Sequence, residues 1–208
     1  MSGEWQYIDH GGNAVFVWFG GIHEKHLWCD FLRDESIDAL TFIDAKFNWY
    51  VDGIQGVPGG FFGAIDHIRA LCDGKKIIVA GQSSGGYAAL RFSLELNPAL
   101  CIAFAPQTGN RPGLKDIPQP AIPIPDVAGA YVERQPEFPV VIHMSRSETS
   151  HKEQFFWNDW AHVMPMIAHN NTRIVIHPTD MHAVAMGMHK RFRPTILSAI
   201  DLYVNHQP

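Results

Sequence analysis

Gly81, Gln82, Ser83, Ser84 and Gly85 spell Gly-x-Ser-x-Gly, between an apolar run ending at Ala80 and a helical pattern, YAALRFSLEL, that follows Gly86. A serine at such a strand-to-helix turn is lifted clear of the sheet, where its hydroxyl can attack an acyl carbon. Glycine suits positions 81 and 85, because a Cβ in so tight a turn would collide with the neighbouring strand or helix. The flanking glycines frame Ser83 rather than Ser84. The competing reading is a glycine-rich turn that opens a helix and binds an anion. A phosphate loop is disfavoured, since neither GxxxxGK nor GxGxxG occurs.

A serine hydroxyl is a poor nucleophile until a base takes its proton. Of the 12 histidines, His182 is the candidate base, in the sequence HPTDMHAVAMGM between the last strand pattern and the final helix. In an open parallel sheet the reacting groups gather at the C-terminal ends of strands. His177 sits nearer the strand end, His189 falls within the helical pattern, and His10, His67, His143, His162 and His169 read as surface or packing residues. An acid must orient the imidazole. Glu148, in the loop segment SRSETSHKE, is preferred to Asp159, which falls in the following helical pattern; Asp180 is a third choice, only two residues from His182. Donors for a developing oxyanion are expected from the Ser84 amide and from Gly20 and Gly21 after the first strand. A plain turn is the alternative for the glycine pair. HExxH is absent and His23 and His26 lack a carboxylate partner, so neither a metal nor another cofactor is expected.

Positioning these groups calls for a parallel sheet, and the chain alternates short Val-, Ile- and Phe-rich runs with longer amphipathic stretches. Strands are expected at 14–19, 39–43, 76–80, 100–105, 139–144 and 173–177, with an edge strand at 5–9. Helices are expected at about 24–34, 60–72, 84–96, 153–168 and 185–205. The fold class is α/β: a three-layer α/β/α sandwich around a mostly parallel sheet of six to seven strands. Residues 106–139 hold eight prolines and little periodicity. They read as a long loop that covers a pocket, with one short helix near 126–133.

A chain of 208 residues fits a single domain spanning 1–208. A formal charge of -5 leaves no excess of Lys or Arg for phosphates, which argues against nucleic acid. Glu4 and Asp9 stand where a signal peptide would be basic then apolar, and every apolar run is interrupted. The expectation is a cytoplasmic protein without membrane insertion. Cys29, Cys72 and Cys101 lie in apolar stretches without metal-site spacing and read as core residues.

The order of these parts resembles the α/β-hydrolase superfamily across residues 13–205. Within it, the chain is similar to a bacterial group of short hydrolase-like domains with an FGG segment, a WY pair, a GNSMGG-like elbow and a PQT segment. These match Phe19 to Gly21, Trp49 and Tyr50, Gly81 to Gly86, and Pro106 to Thr108. The resemblance implies a serine-dependent esterase, thioesterase or related acyl hydrolase acting on a small-molecule ester or thioester. It departs from the pattern in lacking a long cap domain. Trp49, Tyr50 and Gln107 follow strand ends and are candidates to line a pocket, with core packing as the alternative. Acyl transfer by the same residues, or a catalytically silent binding module on the same fold, are the other readings.

Overall fold

Seven apolar segments pair into one sheet in the computed structural model, which describes residues 4–21, 24, 26, 30–109, 123–146, 159–179 and 181–205. The strands are β1 (Trp5–Ile8), β2 (Ala14–Phe19), β3 (Ile37–Phe42), β4 (Lys76–Gln82), β5 (Leu100–Phe104), β6 (Val140–Ser145) and β7 (Thr172–His177). Their spatial order is β1-β3-β2-β4-β5-β6-β7, with β1 antiparallel to β3 and every other pair parallel. Strands β2, β3, β5 and β6 are buried at every position, as parallel strands covered on both faces must be.

Alternation along the strands divides the core in two. Val15, Val17 and Phe19 face one cluster, which also takes in α1 (Gly60–Leu71), α2 (Ser84–Leu96) and α3 (Val127–Arg134). Ala14, Phe16 and Trp18 face the other, under α4 (Val184–Gly187) and α5 (His189–Ile200). The Phe192 ring of α5 meets those of Trp18 and Phe104 at centroid separations of 5.9 and 5.7 Å. Each such aromatic pair contributes about 0.5–1.5 kcal/mol beyond area burial. They fasten the final helix to the sheet beneath the functional loops.

The chain runs from β2 outward to β3, then returns across β2 to start β4 and proceeds in the opposite direction. The strand order therefore reverses between β2 and β4. A crevice opens outside the C-terminal ends of strands at such a reversal, and Gly20–Gly21 and Ser83 both stand there.

The strand segments agree with the sequence expectation to within two residues at nearly every end. Three helical segments differ. Within 24–34 the described residues include a single 3₁₀ turn, Asp30–Leu32. Residues 159–163 are helical and then tighten into a 3₁₀ turn, Met164–Ala168, with a proline at its start. The final helix, expected to run unbroken over 185–205, divides at Met188, where φ is -93° and ψ is 10°. Gly187, a poor helix former, directly precedes the break. In the proline-rich segment, residues 110–122 lie outside the described residues. The described remainder includes α3, capped by Asp126, whose side chain accepts from the Gly129 amide. Tyr131 of α3 is fully buried and donates to the Leu90 carbonyl at 3.1 Å. This part packs into the helical layer through Val127, Ala128 and Tyr131. Cys72 and Cys101 are free and buried, while Cys29 lies outside the described residues. Among the described residues, no helix is long and apolar enough to cross a membrane.

Candidate active site

The bend after β4 carries Ser83 at φ 56° and ψ -117°, a region that L-residues avoid at a cost of about 1–3 kcal/mol. Packing holds it there. The Ser83 amide donates to the Phe104 carbonyl of β5 at 2.8 Å, and the Tyr87 amide to the Ser83 carbonyl at 3.0 Å. A Cβ at Gly81 would stand 2.1 Å from the Gly85 carbonyl oxygen, and one at Gly85 would stand 2.0 Å from that of Phe19. Gly81 is thus required by the tightness of the bend, and Gly85 by the close approach of β2 to it. Ser83 is left half-buried, open to a reactant.

His182 arrives from the loop after β7, two strands away from the β4–β5 pair. Its Nε2 lies 3.0 Å from Ser83 Oγ. Its Nδ1 lies 3.0 and 3.1 Å from the two carboxylate oxygens of Asp159. The Asp159 side chain is 1% exposed and that of His182 29%. Asp159, the alternative to Glu148 in the sequence, is thus the carboxylate that meets Nδ1 among the described residues; Glu148 lies outside them. The helical turn bearing Asp159 is tied to the PQT segment. Thr108 donates through its amide to His162 Nδ1 at 3.2 Å and through its hydroxyl to the His162 carbonyl at 2.7 Å.

Gln82 holds the histidine loop from the other side. Its side-chain amide donates to the His182 carbonyl at 3.2 Å, and its side-chain oxygen accepts from the Ala185 amide at 3.0 Å. A residue next to the serine thus clamps the segment that delivers the imidazole.

Burial alone would lower the His182 pKa, but the hydrogen bond and charge of Asp159, with the charge of Glu24, outweigh it and raise the value above the ordinary histidine range. Burial raises Asp159 above the usual carboxylate range, against the opposing pull of His182. The neutral imidazole can accept a proton at Nε2, and the imidazolium then formed is stabilised at Nδ1 by the carboxylate.

The donors expected for an oxyanion divide three ways. The Ser84 amide opens α2, where a first-turn N–H has no intrahelical acceptor. Gly20 is excluded, because its amide donates to the Phe42 carbonyl at 3.0 Å. The Gly21 amide donates to Glu24 Oε2 at 2.8 Å. Glu24 is half-buried, and burial raises its pKa against the opposing influence of the Gly21 amide and His182. Sequence reasoning passed over Glu24, although a Glu three residues after a turn-forming Gly is the spacing at which a side chain reaches back to a backbone amide.

Of the three residues expected to line a pocket, Gln107 is beside Ser83, with its Oε1 3.4 Å from Ser83 Oγ. Trp49 and Tyr50 are buried in the core, 1% and 2% exposed, and Tyr50 borders a cavity that Asp44, Asn48 and Asp52 also line. Both adopt left-handed backbone angles, φ 59° and 57°, in a turn organised by Asp44, which accepts from the amides of Asn48 and Trp49 at 3.1 and 2.8 Å. Tyr50 acts on the site indirectly: its hydroxyl donates to the Gly20 carbonyl at 3.0 Å and steadies the glycine loop.

No protein-family model matches the chain, and no curated protein matches it. Solved structures do resemble it. MenH from S. aureus aligns with a TM-score of 0.67 at 12% identity, over 98% of this chain and 99% of that one. The capsule O-acetyltransferase of Neisseria meningitidis serogroup A aligns at 0.62 and 14% identity, over 94% and 90%. A thioesterase domain from the curacin biosynthetic pathway aligns at 0.57 and 12% identity, over 93% and 94%. At such identities the likeness is one of architecture. Over nearly its whole length, the chain has the α/β-hydrolase fold.

Proposed function

We propose that the protein is a serine-dependent acyl hydrolase that cleaves a small ester or thioester through an acyl-enzyme on Ser83. The observation that carries this reading is the contact between Ser83 Oγ and His182 Nε2, 3.0 Å apart, on a bend that strains the serine outward. Attack by Oγ on the acyl carbon forms the C–O bond while the hydroxyl proton moves to Nε2. The carbonyl electron pair becomes an oxyanion, met by the Ser84 amide. Collapse of this intermediate breaks the bond to the leaving group, which takes the proton from His182. Water then repeats the sequence on the acyl-enzyme. Asp159 holds the imidazole in the tautomer with its proton on Nδ1 and stabilises the charged form.

Three of the solved structures with this fold bear the descriptions O-acetyltransferase, thioesterase and esterase, all of which denote acyl chemistry. The first supports a second reading, in which an alcohol replaces water as the acceptor. Product analysis with and without added alcohols separates the two.

The decisive test is labelling with a fluorophosphonate followed by peptide mapping, with a panel of esters of graded chain length. The label is expected on Ser83, and Ser83→Ala is expected to abolish it. A label on another serine, with Ser83 untouched, overturns the proposal.

A further inference from the structure

Glu24 brings a second carboxylate to the reaction centre. It is joined to Gly21 twice: its amide donates to the Gly21 carbonyl at 3.1 Å, and its Oε2 accepts from the Gly21 amide at 2.8 Å. Gly21 is packed against the elbow, since a Cβ on it would stand 2.9 Å from the carbonyl oxygen of Gln82, the residue before the nucleophile. Glu24 and His182 are close enough for each to feel the other's charge. With the Gly20 amide committed to Phe42, Gly21 is the glycine of the β2 loop, among the described residues, whose amide is left to face an oxyanion. In the resting enzyme that amide already holds an anionic oxygen, from the protein itself.

Resting on the reading of Ser83 as acyl nucleophile, we propose that Glu24 is a specificity-determining residue: the substrate oxygen displaces its carboxylate from the Gly21 amide, and the displaced carboxylate selects substrates that bring a hydroxyl or ammonium donor beside the scissile carbonyl. The exchange forms one hydrogen bond to Gly21 and breaks another. A plain alkyl ester leaves the half-buried carboxylate without a partner, and stranding a charged acceptor is costly. An ester carrying a hydroxyl or ammonium group close to the carbonyl supplies the missing donor. The same exchange explains how one amide serves both the resting turn and the transition state.

The test compares wild type, Glu24→Ala and Glu24→Gln, first by the second-order rate of fluorophosphonate labelling at Ser83 on the alkaline plateau. It then compares kcat/KM on two matched ester pairs: hydroxyethyl acetate against propyl acetate, and methyl glycolate against methyl propionate. With the amide vacated, Glu24→Ala is expected to label about 10-fold faster. Glu24→Gln, whose neutral amide oxygen holds Gly21 more weakly, is expected to fall between. Wild type is expected to favour the hydroxylated member of at least one pair, and Glu24→Ala to lose that preference by gaining on the alkyl member. If Glu24 only closes the turn, Glu24→Gln behaves as wild type and Glu24→Ala labels no faster; that result, or a hydroxyl preference that survives in Glu24→Ala, overturns the proposal. If neither pair is turned over, the labelling rates alone decide. A wild type that takes no label at Ser83 brings down the nucleophile assignment itself, and is thereby distinguished from failure of the Glu24 inference alone.

Discussion

In the proposed mechanism His182 serves Ser83 only when neutral, and the environment works against that condition. Burial favours the neutral ring, but Asp159 and Glu24 favour the charged one and prevail, so its pKa is raised. Activity is therefore present above this raised value and lost as pH falls through it. The acid limb of kcat/KM is expected at higher pH than an ordinary imidazole would give. Asp159→Asn removes the charge and the acceptor that hold the imidazole, so the limb moves to lower pH and the plateau falls by about 10,000-fold. Glu148→Gln leaves both unchanged. A pH–rate series on the two variants checks this, and the reverse pattern would return the orienting role to Glu148.

At the scale of elements, the question is how a loop beyond β7 reaches a serine on β4 across β5 and β6. Gln82 answers it with two hydrogen bonds, one to the His182 carbonyl and one from the Ala185 amide, made by a side chain that is 1% exposed. Gln82→Leu leaves two backbone groups without their partners, at a cost of about 1–3 kcal/mol each if they remain buried. The imidazole also loses its seat, and displacement of about 1 Å can cost on the order of 100-fold in rate. Both the melting temperature and the Ser83 labelling rate are expected to fall. A variant that loses stability but labels at the wild-type rate would show that Gln82 supports the fold without positioning His182. Thr108 makes the corresponding connection for Asp159, since the PQT segment ties down the helical turn while Gln107 extends toward Ser83.

Across the whole molecule, β6 and β7 meet through a pair of histidines. His143 Nδ1 and His177 Nε2 are 2.8 Å apart, and the His143 ring stacks on Phe104 with centroids 4.8 Å apart. Burial, together with the charge of His177, pushes His143 from the ordinary 6.5 down to about 3. Between those values the unfolded chain binds a proton at this position that the native state refuses. Stability is thus full above about 6.5 and falls as pH drops toward 3. Replacing the ring by His143→Phe keeps an aromatic stack and removes the titration, so its melting temperature is expected to depend less steeply on pH over that interval. Parallel curves for variant and wild type would exclude His143 as a source of acid sensitivity.

Periodicity and local chemistry made much of this legible beforehand. Short apolar runs rich in Val, Ile and Phe, a Gly-x-Ser-x-Gly bend between strand and helix, and a histidine in the loop after the last strand are properties of short segments, whose geometry depends on neighbours in the chain. Tertiary structure decided what depends on how distant loops return: Asp159 opposite Nδ1, the Gly20 amide spent on Phe42, and Trp49 and Tyr50 drawn into the core. It also placed Glu24 on the Gly21 amide and Gln82 on the histidine loop. Ser83 and His182 are 99 residues apart in sequence, and no local pattern specifies which side chains close such a gap; that is settled by the strand order reversing between β2 and β4, which brings the glycine loop and the elbow to one crevice.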